Sequence, residues 1–516
     1  MRKWILGAAV LSALSAGAAQ AQATTPTSAA SQNAALQLML QKGVITQAEY
    51  DQAMADIAAA KAKESAVVVE QKQMGQVLKA PSVSTKWSAT LYGFTEIDFM
   101  FDTTQSLADL WGNTVINNYL NGDYQATHHR MQFSVRNTRV GFRLEAPEWG
   151  SVKSSGVIEC DFFGNQPSAT ASNPGATPPN GTNSTQGISE ANFYNNPTFR
   201  IRHAYAKLES PVVDFLFGQT WELFGWQSYF QPNTVDLQGV PGEVYSRTAQ
   251  ARISKTVKTD AVNVDLAVAA SRPPQRDAWV PDLQGGIKLS LPGWKGVSTA
   301  GGTGTNIVPA ALAGSATWRR FQVQVPGAAA GNTQSNVTEG WGYDIDLLLP
   351  LVPVSGTSRA NGLTFTGDYV NGRGINDVYT GLTGGVSSTS SLLNTANQVN
   401  TDPSLVGEVA YDANGKLNTI AWREFLVGLQ YYLPIDDGRV WVSGNFSQMY
   451  SNNIQNYAGN GKAAFFRENW MDVNVFWDAT NAIRFGLEYA MVRQFYVSTD
   501  APATNNRIQF SAWYLF

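Results

Sequence analysis

Arg507-Ile508-Gln509-Phe510-Ser511-Ala512-Trp513-Tyr514-Leu515-Phe516 ends the chain, and its alternation decides the fold. Every second residue back from Phe516 is Tyr514, Ala512, Phe510 or Ile508. Between them stand Leu515, Trp513, Ser511, Gln509 and Arg507. Successive side chains of a strand point to opposite faces. This strand therefore has one apolar, aromatic face and one that grows polar away from the terminus. Such a strand suits lipid on one side and water on the other.

The same period of two recurs from Trp87 onward in segments of about ten residues. Phe425, Val427, Leu429, Tyr431 and Leu433 alternate with Glu424, Gly428 and Gln430. Val473, Val475 and Trp477 alternate with Asp472 and Asn474, and Ile483, Phe485, Leu487 and Tyr489 with Arg484, Gly486 and Glu488. Val262, Val264, Leu266 and Val268 alternate with Asn263 and Asp265. A soluble sandwich also alternates, but it seldom leaves large aromatics uncovered on so many strands.

The connections alternate in length as well. Short turns are expected at Ala146 to Gly150, Ser210 to Val212, Thr256 to Asp260, Pro434 to Gly438 and Asp478 to Asn481. Long ones are expected at Thr103 to His129, Gly164 to Pro197, Trp221 to Tyr245 and Arg373 to Thr419. This is the pattern of an all-β transmembrane fold, an antiparallel β-barrel over 87–516 with about sixteen strands. The even number brings both ends to the periplasm. Pro292 to Gly314 is rich in Gly and Ala and too long for a tidy turn, so fourteen or eighteen strands stay open.

The N-terminus fits export. Arg2 and Lys3 precede an apolar stretch from Trp4 to Leu14, and two A-x-A sites overlap at Ala19 to Ala23. Residues 1–23 thus form a secretory signal peptide, too short in its apolar part to be a membrane anchor. Removal of Arg2 and Lys3 takes the formal charge from −4 to −6, which does not suggest a nucleic-acid partner. The nearest later apolar run, Leu347 to Val354, is broken by Pro350 and Pro353. The single cysteine, Cys160, allows no internal disulfide framework in an oxidising compartment. Aromatic residues at 11% with charged residues at 15% fit lipid-facing strands.

Residues 24–86 read as a periplasmic leader and linker. Leu36, Met39 and Leu40 recur at helical spacing up to a Gly43 cap. Thr46 and Glu49 form a capping box for a second helix through Met54 and Ile57. A heptad seam through Tyr50, Met54 and Ile57 reaches Lys61 and Glu64, so a coiled coil is not established.

Three stretches carry a family resemblance. They are Leu91-Tyr92-Gly93-Phe94 with Asp98, Phe199-Arg200-Ile201-Arg202-His203-Ala204-Tyr205, and Phe217-Gly218-Gln219-Thr220-Trp221. They open the first and fourth strands and close the fifth. These stretches resemble the DcaP-like trimeric porins. Gly43-Val44-Ile45-Thr46 with Glu49-Tyr50 is similar to the leader of phosphate-selective porins O and P. The resemblance implies a homotrimer in the bacterial outer membrane that passes small anionic solutes, dicarboxylates among them.

No P-loop, H-E-x-x-H or G-x-S-x-G motif is present. His128 and His129 fall in an expected external loop with no further His or Cys to complete a metal site. His203 shares strand parity with Ile201 and Tyr205, which reads as a wall or subunit-interface position. No cofactor is implied. Parity assigns Arg139, Arg143, Arg200, Arg202, Arg252 and Arg320 to the inner wall, with Glu96, Asp98, Glu159, Asp161, Asp265, Asp344 and Asp346. Charge is tolerated toward water and not toward hydrocarbon. These residues could form rigidifying cross-strand ion pairs or an eyelet with arginines on one side, and both readings stay open. The third long loop carries Trp221, Phe224, Trp226, Tyr229 and Phe230 with Glu222, Asp236 and Glu243. Its rings are too apolar to stand in water, so an anchor on the inner wall is expected, against a trimer contact or a cap facing lipopolysaccharide.

A diffusion porin is the leading function, in contact with outer-membrane lipid and lipopolysaccharide. A barrel enzyme lacks a nucleophile beside a base. An adhesion or structural role could use the leader. Phe510, Tyr514 and Phe516 are expected to serve as the signal read by the barrel-assembly machinery. Deleting Phe516 should lower surface levels and leave precursor in the periplasm, as scored by fractionation and immunoblotting. Normal surface levels of the truncated chain would reject that role.

Overall fold

Backbone N–H and C=O groups cannot be left bare in hydrocarbon, so strands cross a membrane only when their sheet closes on itself. The computed structural model describes residues 41–42, 46–47, 50–52, 87–109, 116, 124–164, 198–236, 240–299, 304–325, 334–382, 407–412, 414–457, 464–497 and 502–516. It shows that closure.

The first strands are β1 (Ser88–Asp102), β2 (Arg130–Ser134), β3 (Arg139–Glu145), β4 (Lys153–Asp161), β5 (Arg200–Glu209) and β6 (Asp214–Trp221). Next come β7 (Arg247–Lys258), β8 (Asn263–Ser271), β9 (Asp282–Ser298), β10 (Asn306–Gln324), β11 (Ser335–Val352) and β12 (Leu363–Arg373). A two-stranded hairpin, β13 (Val409–Tyr411) with β14 (Leu417–Thr419), stands apart from the main sheet. The last strands are β15 (Ala421–Tyr432), β16 (Val440–Tyr450), β17 (Phe465–Asp478), β18 (Ile483–Tyr496) and β19 (Pro502–Leu515). β2 and β3 both pair with β1 and are two halves of one strand, interrupted at 135–138. The result is a closed antiparallel barrel of sixteen strands.

The seam joins β1 to β19, from Phe94 opposite Leu515 to Asp102 opposite Arg507. Gly93 and Phe516 exchange backbone hydrogen bonds of 3.0 and 3.1 Å. Gly93 has φ +148°, and a Cβ there would lie 2.1 Å from the Arg139 carbonyl oxygen, so only glycine fits.

Faces alternate along the strands. Ile508, Phe510, Tyr514 and Phe516 are exposed on the outside, while Arg507, Gln509, Ser511 and Trp513 are buried inside. Phe425, Val427, Leu429, Val473, Val475, Trp477, Leu487 and Tyr489 also face outward. At the rim opposite the chain's C-terminus the outward face changes character. Arg320 stacks on Trp279, Arg373 on Trp341 and Arg423 on Tyr450, with guanidinium-to-ring distances of 4.6, 5.7 and 5.0 Å.

The described part of the stretch 292–314 belongs mostly to two strands. β9 runs through Pro292 to Ser298 and β10 resumes at Asn306, with a register shift between Pro309 and Ala310. That bulge takes up the extra residues and settles the count at sixteen. The turn expected at Thr256 to Asp260 begins later, since β7 continues to Lys258.

In the segment before the barrel, the Tyr50 N–H donates to the Thr46 carbonyl at 3.0 Å, the bond of one helical turn. The signal peptide, the Gly43 cap, Glu49 and the seam through Met54, Ile57, Lys61 and Glu64 lie outside the described residues.

The lumen is not uniformly polar. Phe94, Tyr432, Trp441, Phe476 and Trp513 point inward and pack together with Val235 of the third long loop. Tyr432, Trp441 and Phe476 form a stack with centroids 5.5 and 5.0 Å apart. A second apolar cluster joins Phe224 and Val244 to Phe321, Val370, Tyr379, Trp422 and Trp470.

Val473 is outward-facing in the middle of β17 and 56% exposed. Val473→Arg should destabilise the folded barrel by about 2–4 kcal/mol in bilayers, the depth-dependent cost of a guanidinium near the midplane. The check is urea unfolding in lipid vesicles, and an unchanged midpoint would mean that this face does not meet hydrocarbon.

Candidate functional site

The third long loop, 222–246, folds into the barrel and crosses to its far side. Its first turn is fixed by the amide side chain of Gln284 on β9, whose Oε1 accepts from Leu223 and Phe224 N–H at 3.0 and 3.2 Å. Gly225 N–H donates to Ser315 Oγ at 2.8 Å, and Trp226 Nε1 to the Gly314 carbonyl at 3.2 Å. Phe230 is buried against Ala311, Ala313 and Leu348, with Trp226 and Tyr229 beside it. Further along, Asn233 Oδ1 accepts from Trp441 Nε1 at 2.8 Å. Val235 N–H donates to Glu488 Oε2 at 2.8 Å, and the Pro241 carbonyl accepts from Ser447 Oγ at 2.5 Å. The loop is thus tied to β9, β10, β16 and β18. Small residues on β10 make room for its rings, and inward polar side chains satisfy its backbone.

Glu222 at the loop's start accepts from Ser246 Oγ at 2.8 Å and from Gln284 Nε2 at 2.6 Å. Burial raises its carboxyl above the usual range, against the pull of Arg319 and these two donors. It is bound to the β6–β9 side of the lumen and has no contact with Arg200 or Arg202.

Arginines gather on the wall formed by β3, β4 and β5. Arg200 pairs with Asp161 at 2.6 Å, and Arg202 with Glu159 at 2.7 Å and Asp161 at 3.2 Å. Arg139 reaches Glu159 at 3.5 Å. The cause is register, since Arg139 lies opposite Asp161 and Asp161 opposite Arg200. A bulge between Glu159 and Cys160 lets Ile201 and His203 answer consecutive residues of β4. Arg202 and His203 therefore both turn inward, at 3% and 8% exposure. His203 is no wall residue. Its Nδ1 lies 3.0 Å from Thr220 Oγ1 and its Nε2 3.8 Å from Glu159.

Below this cluster Arg143 lies over Tyr92, 5.5 Å from the ring, and among the described residues no carboxylate pairs with it. Arg252 donates to Gln250 Oε1 and to the Trp221 carbonyl at 3.0 and 2.7 Å. Arg320 does not line the lumen. It shares outward parity with Leu312 and lies opposite Glu339, while Arg319 points inward to Asp282 at 2.9 Å and to Asp377. The inward residues beside Arg319, Phe321 and Val323, are apolar because loop side chains pack on them, and this reversed the expected parity.

Acidic residues collect across the barrel. β12 is eight strands round from β4, so β11, β12 and β15 face the arginines. Asp344, Asp346 and Glu424 on these strands are buried, as are Glu468, Asp472 and Glu488 on β17 and β18. Glu96 and Asp98 on β1 are buried too, and Asp265 is half-buried beside Lys288 at 3.4 Å. Glu424 was read on the polar face of its strand, whereas Asp368 and Glu468 escaped the sequence reading although both alternate with outward-facing residues.

No family model matches the sequence, and no curated protein matches it. Among solved structures, the chain is similar to the outer membrane channel DcaP of Acinetobacter baumannii, at 18% identity and a TM-score of 0.57. That match covers 84% of this chain and 99% of DcaP. The trimer form of OmpT from Vibrio cholerae aligns at 11% identity over 83% and 99% of the two chains, with a TM-score of 0.43. OprB of Pseudomonas putida aligns at 10% identity over 83% and 94%, with a TM-score of 0.42. The barrel thus has the fold of the outer membrane channel DcaP.

Proposed function

We propose that this protein is an outer-membrane porin through which small hydrophilic solutes diffuse along an arginine-lined wall, with a preference for small anions such as dicarboxylates. One observation carries the reading. Several inner-wall residues on β3, β5 and β7 keep exposure to lumen water, whereas most inward acids of β11 to β18 are covered, with Asp368 half-buried. The Arg200 side chain is 32% exposed, Arg143 is exposed, and Tyr205, Lys207 and Arg252 are half-buried. Asp344, Asp346, Glu424 and Glu488 are 0–1% exposed.

The third loop and the inward rings fill the lumen beside β9 to β19, so a solute travels past β3 to β7. Asp161 and Glu159 hold Arg200, Arg202 and Arg139 in place, and among the described residues no carboxylate pairs with Arg143 or Arg252. The ion-pair reading and the selectivity reading thus apply to different residues. The outer-membrane setting rests on the closed, apolar-faced barrel and its likeness to DcaP. The homotrimer and the partnership with lipopolysaccharide and the assembly machinery belong to the same proposal.

Arg143→Gln with Arg252→Gln tests it. Two unit charges about 4 Å apart interact by about 1 kcal/mol in water and by more in a narrow lumen. The double variant should keep its heat-shifted gel mobility and move the anion-to-cation permeability ratio toward cations by about fivefold. The readout is reversal potential under a salt gradient in planar bilayers. Unchanged selectivity in a conducting channel would remove these arginines from the solute's path.

A further inference from the structure

The acids opposite the arginines form a compact group, buried at Asp344 and Asp346 and half-buried at Asp368. Asp346 and Asp368 are direct cross-strand partners on β11 and β12, and Asp344 lies two residues away on the same face. One carboxylate oxygen from each of the three lies within 4.8 Å of the others. Asp344 and Asp346 are each 1% exposed. Among the described residues, no N–H or hydroxyl group donates to either oxygen of Asp344 or to one oxygen each of Asp346 and Asp368.

Two groups outside this trio converge on it. Glu424 on β15 shares Val370 as a cross-strand neighbour with Asp344. It is 1% exposed, and the Val370 backbone N–H bears on its carboxylate. The Tyr379 hydroxyl, equally buried and also without a partner, feels the charges of Glu424, Asp344 and Asp368. Glu243, at the returning end of the third loop, adds a further carboxylate near Asp368 and Asp346. Lys288 bears on Asp346 from a distance, but its ammonium is taken up by Asp265 at 3.4 Å and by the Tyr229 ring at 4.2 Å.

The third loop closes directly over the group. A Cβ on Gly225 would stand 3.1 Å from Asp344 Oδ2, and one on Gly242 would stand 2.2 Å from Glu424 Cγ. Like charges buried this closely repel unless a positive charge stands among them. The donor set is all oxygen, with no His or Cys, which suits a hard cation of the calcium class rather than zinc or copper.

We propose that Asp344, Asp346 and Asp368 bind one divalent cation of the calcium class, with Glu424, Glu243 and the Tyr379 hydroxyl in its outer surroundings. The ion fastens the third loop to the wall of β11, β12 and β15. It also offsets the negative side of the lumen, which leaves the arginine wall dominant. The site stands on its own geometry and does not depend on which solute the barrel passes.

The test uses the full chain, folded in detergent and stripped with a chelator. Calorimetric titration with calcium chloride, and then with magnesium chloride, measures binding. Terbium luminescence sensitised through Tyr379 reports the location. One calcium per chain is expected. Asp344→Asn with Asp368→Asn should weaken binding by about tenfold or more while the heat-shifted gel band persists. If the double variant does not fold, Asp346→Asn alone should weaken binding in the same direction. No calcium binding by the native chain from about pH 6 to about pH 9 would overturn the proposal, leaving carboxylates that share protons. Undiminished calcium binding by a folded variant would also overturn it, placing the ion elsewhere.

Discussion

Closure of the backbone ladder between β1 and β19 is the constraint on which the rest depends. It leaves no strand edge for lipid to meet and fixes the number of strands. Once the ladder is closed, each residue's face follows from parity. The outward set must be apolar over the height of the hydrocarbon. The inward set is released from that demand and can hold charge. The reciprocal bonds of Gly93 and Phe516 sit at one end of this seam, where an L side chain at 93 would strike the neighbouring strand.

The interior then divides into two unlike halves. On one side, inward rings and the third loop build a small hydrophobic core inside a membrane barrel, with Trp441 and Phe476 stacked at its base. On the other, Arg143 and part of Arg200 remain wet, beside buried pairs of Arg139 and Arg202 with Glu159 and Asp161. Rigid placement of the arginines comes from cross-strand register, as the pairing of Asp161 with Arg200 shows. The loop owes its position to polar side chains such as Gln284 and Asn474, which take up its backbone donors. Removing water from one half of the lumen sets the course of the other.

Much of this was legible in the sequence because a period of two survives wherever one face meets lipid. The strands around Phe425, Val473, Ile483 and Ile508 were read with the correct faces, and the count of about sixteen agrees with the barrel. What failed to read were places where a local rule had a nonlocal cause. His203 turned inward because one extra residue in β5 resets parity. Arg319 and Arg320 exchanged roles because the lumen beside them is apolar, so an inward Phe321 looked like an outward one. Pro292 to Gly314 hid a bulge. Asp344 and Asp346 were placed on the inner wall, but their meeting with Asp368 and Glu424 depends on the register of three strands, which no single segment reveals.

The outward arginines at the rim have a mechanical meaning. Arg320, Arg373 and Arg423 each lie on an aromatic ring just above the apolar belt, on strands that are not neighbours in every case. A guanidinium cannot sink into hydrocarbon without drawing water or headgroups with it. At the other end of the barrel Trp477, Tyr514 and Phe516 favour the opposite interface. The two rows act as stops at a fixed separation, so the barrel has a preferred bilayer thickness. In a thicker membrane the lipid must thin around it, and hydrophobic mismatch becomes a force that holds the chain at one depth and sorts it among membranes.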